Sequence, residues 1–226
     1  MDATKQRIIL AAESLFAQQG IGGVSAREIA SAAGLRNNVS VQYHFGSMGG
    51  LLGSIVRFRM GQLEINRTKL LKEAAEAEKL NDLATLLNIL CLPHIAITDD
   101  RGHHPYAAFM AQYLPRYHPA GFSWIMDKID PTLPGLVRLL SLFRERLPYL
   151  PNEVLYRRLT SATLHFLNVL IAHDVERSIM MQEAKVALML QDCMSQIVAA
   201  IAIPYDDNIA PEIQQLIVRE APGSRP

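Results

Sequence analysis

The chain has 226 residues, half of them apolar, with 22 Lys and Arg against 22 Asp and Glu. That length suits one large or two small domains with a real core, and the balanced charge excludes a general nucleic-acid coating protein. Two distant cysteines, Cys91 and Cys193, exclude a disulfide framework and read as reduced, buried thiols of a cytoplasmic protein.

The opening MDATKQRIILAAESLFAQQG carries an early acid and a polar face, so it does not read as a signal peptide. Ile8, Ala11, Ala12, Leu15 and Phe16 recur at helical spacing. They predict a first helix over residues 4–19, capped by Thr4. Gly20, Gly22 and Gly23 break it. Ser25 followed three residues later by Glu28 is a capping box. It opens a short helix with Ile29, Ala32 and Ala33 on its apolar side, closed by Gly34. After a polar turn at Arg36, Asn37 and Asn38, residues 39–45 fit a second short helix. Two brief helices joined by a tight turn form a helix-turn-helix, whose second helix enters the DNA major groove.

Ser47 caps a long helix predicted over residues 48–79. Gly49, Gly50 and Gly53 either soften its start or allow a close approach. Helices follow over residues 81–97 (cut near the end by Pro93), 106–118, 122–129, 136–146, 152–177 and 182–203, with TDDRGHHP as a loop. The tail from Pro204 is expected to be loosely held, with EIQQLIV as one docked turn. No strand pattern occurs, and no run approaches the ~18 apolar residues of a membrane span. No membrane partner is expected. Residues 1–72 hold nine Lys and Arg against four Asp and Glu, and the remainder thirteen against eighteen. A basic head on an acidic body fits DNA binding by the head.

Ile8, Ala12, Leu15, Phe16 and Gly20, then Ile29, Ala30, Ala33 and Gly34, then His44, Phe45, Ser47 and Leu51 stand in a specific combination and spacing. On these residues the first quarter of the chain resembles the TetR family of bacterial transcription regulators. The resemblance implies an all-α homodimer, usually a repressor released from DNA by a small molecule. Three departures stand out. The turn between Gly34 and Phe45 is one residue longer than usual. Gln42 replaces a tyrosine that usually touches phosphate, although Tyr43 follows directly. Met48 and Gly49 replace a lysine and an acid, which removes a phosphate-binding cation.

The expected organisation is a three-helix helix-turn-helix domain over residues 1–47 and a larger helical domain for ligand binding and dimerisation over residues 48–226. Candidate DNA-facing residues are Arg36, Asn37, Asn38, Ser40, Gln42, Tyr43 and His44. Asn and Gln can pair bidentately with adenine, and Arg with guanine. Tyr43, His44 and Arg27 suit phosphate, as does Ser47 at a helix N-terminus. Asn37 and Asn38 also suit a plain turn, and His44 a helix end.

Residues 162–172, ATLHFLNVLIA, are apolar nearly all round and contain Phe166 and Leu170. The last helix adds a stripe with Leu190, Met194, Ile197 and Ile201. Two such helices predict a four-helix, two-fold interface with a second copy; the alternative is a central helix buried in a monomer. Phe109, Tyr113, Trp124 and Phe143, with His165 and Asn168, are candidates for a pocket that takes a small hydrophobic effector. Aromatics at helical spacing also make ordinary core.

His103 and His104 lie beside Asp99 and Asp100, but adjacent residues rarely both ligate one ion. They read as a solvated loop, and His173–Asp174 as surface, so no metal and no cofactor are expected. No nucleophile elbow, phosphate-cradling loop or zinc-protease motif occurs. The expected function is a non-enzymatic, sequence-specific regulator binding an inverted-repeat operator of double-stranded DNA, a repressor released by its effector. Two alternatives remain: a regulator of this fold without an effector, and a helical enzyme acting at His165 or His173.

Overall fold

The computed structural model of the chain describes residues 2–37, 39–119, 122, 132–177, 183–208 and 210. Among them every regular element is helical. Three helices make the head: α1 (Ala3–Gln19), α2 (Ala26–Ala32) and α3 (Val39–Phe45). The cap of α1 is Asp2, whose carboxylate accepts the Thr4 N–H at 3.1 Å. It takes the place expected for Thr4, because a charged acceptor also complements the helix dipole.

The long helix α4 (Met48–Glu76) is the spine of the molecule. Ser47 Oγ caps it by accepting the Gly50 N–H at 3.0 Å. A Cβ at Gly50 would stand 2.1 Å from the Phe45 carbonyl oxygen. Close approach of α3 therefore explains that glycine, whereas Gly49 has no such neighbour. The helix ends before residue 79 because Glu78 takes φ 56 and Lys79 N–H turns back to the Ala74 carbonyl at 2.8 Å.

The inward stripe of α4 mixes Leu51, Ile55 and Leu63 with Arg59, Glu64 and Arg67. Arg59 donates twice to Glu13 of α1, at 2.7 and 2.6 Å. Glu64 accepts from Arg67 at 3.0 Å, and from the Gly135 and Leu136 N–H groups at the start of α7 (Pro134–Arg146). These contacts tie the spine to the head on one side and to the body on the other.

The remaining body helices are α5 (Leu83–Cys91), α6 (Pro105–Tyr117), α8 (Asn152–Arg177) and α9 (Glu183–Ala202). Pro93 tightens the end of the expected 81–97 helix into a 3-10 turn, Leu92–Ala96. α6 packs between α1 and α8, while α9 lies on α8 and α5. The helix expected at 122–129 lies outside the described residues apart from Phe122, which is buried. EIQQLIV lies outside them too. One stretch, Lys185–Ala202, is long and apolar enough to cross a membrane, with mean hydropathy 1.3. Gln191, Asp192, Ser195 and Gln196 interrupt it, so no continuous apolar run marks it in the sequence.

His94 is buried in this body. Its Nδ1 lies 3.0 Å from the Cys91 carbonyl, and its ring stacks on Tyr106 at 6.3 Å. Burial, aided by the Arg67 charge, pushes the imidazole from 6.5 down to about 4. A depressed base must be neutral in the fold. Its contribution is complete above pH 6.5 and is lost as pH falls toward 4. The loss amounts to roughly 3 kcal/mol. Thermal melts of His94→Gln should therefore show a shallower fall in Tm across that window than wild type.

Candidate nucleic-acid interface

Local chemistry sets the turn that carries α3. Ser25 and Glu28 complete the capping box of α2: Glu28 Oε2 accepts the Ser25 N–H at 2.8 Å, and Ser25 Oγ accepts the Glu28 N–H at 3.3 Å. These hydrogen bonds hold the Glu28 carboxyl below its ordinary value. Gly34 closes α2 at φ 69, with Leu35 N–H returning to the Ala30 carbonyl at 2.9 Å. Only a residue without a Cβ takes that backbone at little cost.

Asn37 then opens α3. Its side-chain oxygen accepts the Val39 N–H at 2.9 Å, so the turn role occupies that atom. Asn38 lies outside the described residues. Val41 is buried at 3% exposure and anchors α3. Val39, Gln42 and Tyr43 point the opposite way, at i, i+3 and i+4. Val39 and Tyr43 are 58% and 82% exposed. Ser40 and His44 are half-buried at the flanks of this face, and His44 meets Tyr43 edge-on at 5.1 Å. Arg27, Arg36 and Ser47 are exposed around it. Val39 was missing from the sequence candidates. Its spacing to Gln42 and Tyr43 was the available signal. Met48 is half-buried against the core beside this surface.

The head is held to the body by side chains. Gln112 of α6 accepts the Ile21 N–H at 3.0 Å and donates to the Phe16 carbonyl at 3.1 Å, which caps the end of α1. Phe16 stacks on Phe109 at 6.0 Å. These contacts, with the Arg59–Glu13 pair, join α6 and α4 to α1.

The structure does not bring the five described pocket candidates together. Phe109 and Phe143 are fully buried core. Trp124 lies outside the described residues. His165 and Asn168 stand on the exposed side of α8. Tyr113 lines a cavity of about 460 Å³, with Val56, Arg57, Met60, His118 and Leu133, and His165 lines a separate one of about 140 Å³, with Arg158, Ser161 and Ile197. His118 Nε2 lies 3.2 Å from the Tyr113 hydroxyl, and burial pushes its imidazole below the ordinary value.

The interface candidates also divide. Phe166, Leu170, Ile197 and Ile201 are at most 2% exposed inside a single chain. They belong to its own core, because α8 and α9 turn their richest stripes toward each other and inward. Leu190 and Met194 are half-buried along a groove beside α5. The outward side of α9 instead shows Leu188, 66% exposed. The histidines depart from the sequence reading: His104, expected in a solvated loop, is buried and meets His173 and Asp174 of α8, which were expected at the surface and are half-buried.

Residues 8–55 match the family model of bacterial regulatory proteins, tetR family. No curated protein matches the chain. Among solved structures, the fold resembles a protein described as a TetR-family transcription regulator from Shewanella sp. PV-4, with TM-score 0.50 and 16% identity over 89% of this chain and 100% of the other. It equally resembles one so described from Rhodococcus sp., with TM-score 0.50 and 16% identity over 91% of this chain and 100% of that one. At that identity the likeness speaks for the shared helical fold. The match over residues 8–55, which spans α2, the turn and α3, shows a helix-turn-helix head of the tetR-family type on this chain.

Proposed function

We infer that the chain is a homodimeric, sequence-specific repressor acting in the cytoplasm, released from an inverted-repeat operator by a small, apolar, weakly acidic effector. Residues 1–47 form its DNA-binding domain and residues 48–226 its ligand-binding and dimerisation domain. The observation that carries DNA reading is the outward face of α3. Gln42 suits adenine, Val39 suits a thymine methyl group, and Arg36 suits guanine or phosphate. Tyr43, His44, Arg27 and Ser47 suit phosphate. No catalytic role is assigned to His165 or His173. Binding-site selection with the purified chain tests the reading: it should enrich an inverted repeat, and enrichment of nothing would oppose it.

The second copy is inferred from α9. Only 17% of Lys185–Ala202 is buried within one chain, despite its apolar composition. An apolar helix left so open calls for a cover, and a two-fold partner is the commonest one. Sedimentation should give twice the chain mass of 25.2 kDa. Leu188→Glu should yield a folded monomer, because the charge falls on the outward side. Ile197→Glu should instead unfold the chain, since that position is core. A Leu188→Glu protein that stays dimeric would place the interface elsewhere.

Effector release rests on the cavity beside Tyr113. Its walls are mostly apolar, and Arg57 supplies a cation for an acidic group. A weakly acidic apolar compound that binds there should raise Tm and lower operator affinity. Operator DNA should weaken the compound by the same factor. Tight binding in this cavity with unchanged DNA affinity would contradict release.

A further inference from the structure

The loop before α6 and the end of α8 are remote in sequence and meet at one point. His104 Nδ1 lies 2.7 Å from Asp174 Oδ1, and His173 Nδ1 lies 3.8 Å from the same oxygen. The donor atoms of His104, His173 and Asp174 all fall within 4.8 Å of one another. The His104 side chain is 6% exposed, that of His173 16% and that of Asp174 17%. The cluster borders a solvent-open groove of about 590 Å³, where Asp99 and His103 also stand.

We propose that His104, His173 and Asp174 form a binding site for a divalent transition-metal ion of the Zn²⁺ class. Two imidazoles and one carboxylate are the donor set such an ion prefers, whereas Mg²⁺ and Ca²⁺ prefer all-oxygen shells. Ligands held at about 2.0–2.2 Å from one ion lie roughly 3–4 Å apart. The 2.7 and 3.8 Å separations therefore need only small side-chain rotations. His104 Nε2 is buried and has no hydrogen-bond partner among the described residues. An ion bound at Nδ1 displaces the proton that this nitrogen shares with Asp174 Oδ1, and the neutral ring then carries its proton on Nε2. Asp174 Oδ2 accepts the His104 backbone N–H at 2.6 Å, which fixes the carboxylate in place. His104 and Asp174 line the groove, so water or His103 is at hand as a fourth ligand. A bound ion joins the start of α6 to the end of α8, beside Ser14 and Gln18 of α1.

The test uses the full chain, stripped with chelator and dialysed. Zn²⁺ is titrated by calorimetry, and Co²⁺ serves as an optical probe of ligand geometry. The expected result is one ion per chain, visible Co²⁺ absorption, and no competition by excess Mg²⁺. His173→Ala and Asp174→Asn should each weaken Zn²⁺ by at least about tenfold. Their metal-free circular dichroism should match wild type, and His165→Ala, remote on α8, should bind as wild type does. Asp174→Asn keeps an oxygen for the His104 N–H, and the His173 side chain makes no hydrogen bond among the described residues, so at least one variant reports binding alone. Absence of Zn²⁺ heat, or equal affinity in folded His173→Ala and wild type, would overturn the site.

Discussion

Glu13→Ala should destabilise the chain by about 3–5 kcal/mol, the usual cost of leaving one member of a buried ion pair alone. Glu13 and Arg59 have side chains only 1% and 8% exposed. Their two hydrogen bonds join α1 to the spine helix α4. Burial pushes the Glu13 carboxyl above its ordinary value, while the Arg59 hydrogen bond and charge pull it down. The larger influence is desolvation, so the pair is held at a cost and adds little net stability. Its role is to specify how the head sits on the body. Glu13→Leu combined with Arg59→Met should therefore recover most of the loss, since no charge is left buried. Urea denaturation of the single and double variants measures both. A single variant within about 1 kcal/mol of wild type would mean that water or another group replaces the partner.

Gln42→Ala should cost roughly 1–3 kcal/mol per half-site at one particular base pair, the worth of a good bidentate contact. A two-fold dimer applies the loss twice, so the operator should weaken by roughly 2–6 kcal/mol while random DNA is nearly unaffected. Tyr43→Ala and Arg36→Ala act differently if they meet phosphate. They should weaken every sequence alike, and Arg36→Ala should lower the log–log salt slope by about 0.9 per subunit. Fluorescence anisotropy on a selected site, its single-base variants and random DNA separates the two patterns. Uniform loss in Gln42→Ala would assign Gln42 to the backbone instead of a base.

The head was legible because its signals are local. A capping box needs only Ser25 and Glu28, and a left-handed closure needs only Gly34. The bounds of α3 followed from the same chemistry. The body was less legible because its decisions are made by distant partners. Arg59, Glu64 and Arg67 interrupt the apolar stripe of α4, so their inward side cannot be recognised until Glu13 and the start of α7 arrive opposite them. Apolar patterning marked α8 and α9 as buried, but not which neighbour buries them. Phe166 and Ile197 therefore read as interface, although they close the chain's own core. Phe109 and Tyr113 have the same helical context and similar rings. One fills core and the other borders a cavity, a distinction made only by what packs on α6. His104 and Asp174 are 70 residues apart, and no spacing rule connects them.

The central claim, that the outward face of α3 reads DNA sequence, has one most direct measurement. Wild type and the triple variant Val39→Ala, Gln42→Ala, Tyr43→Ala are taken through binding-site selection from random duplexes under identical salt. Only Val41, on the opposite side of α3, is buried, so the variant should fold as wild type does. Wild type should enrich an inverted repeat. The variant should keep weak, salt-dependent affinity from the basic head and enrich no motif. Recovery of the same inverted repeat by both proteins would show that another surface reads the operator and would contradict the account.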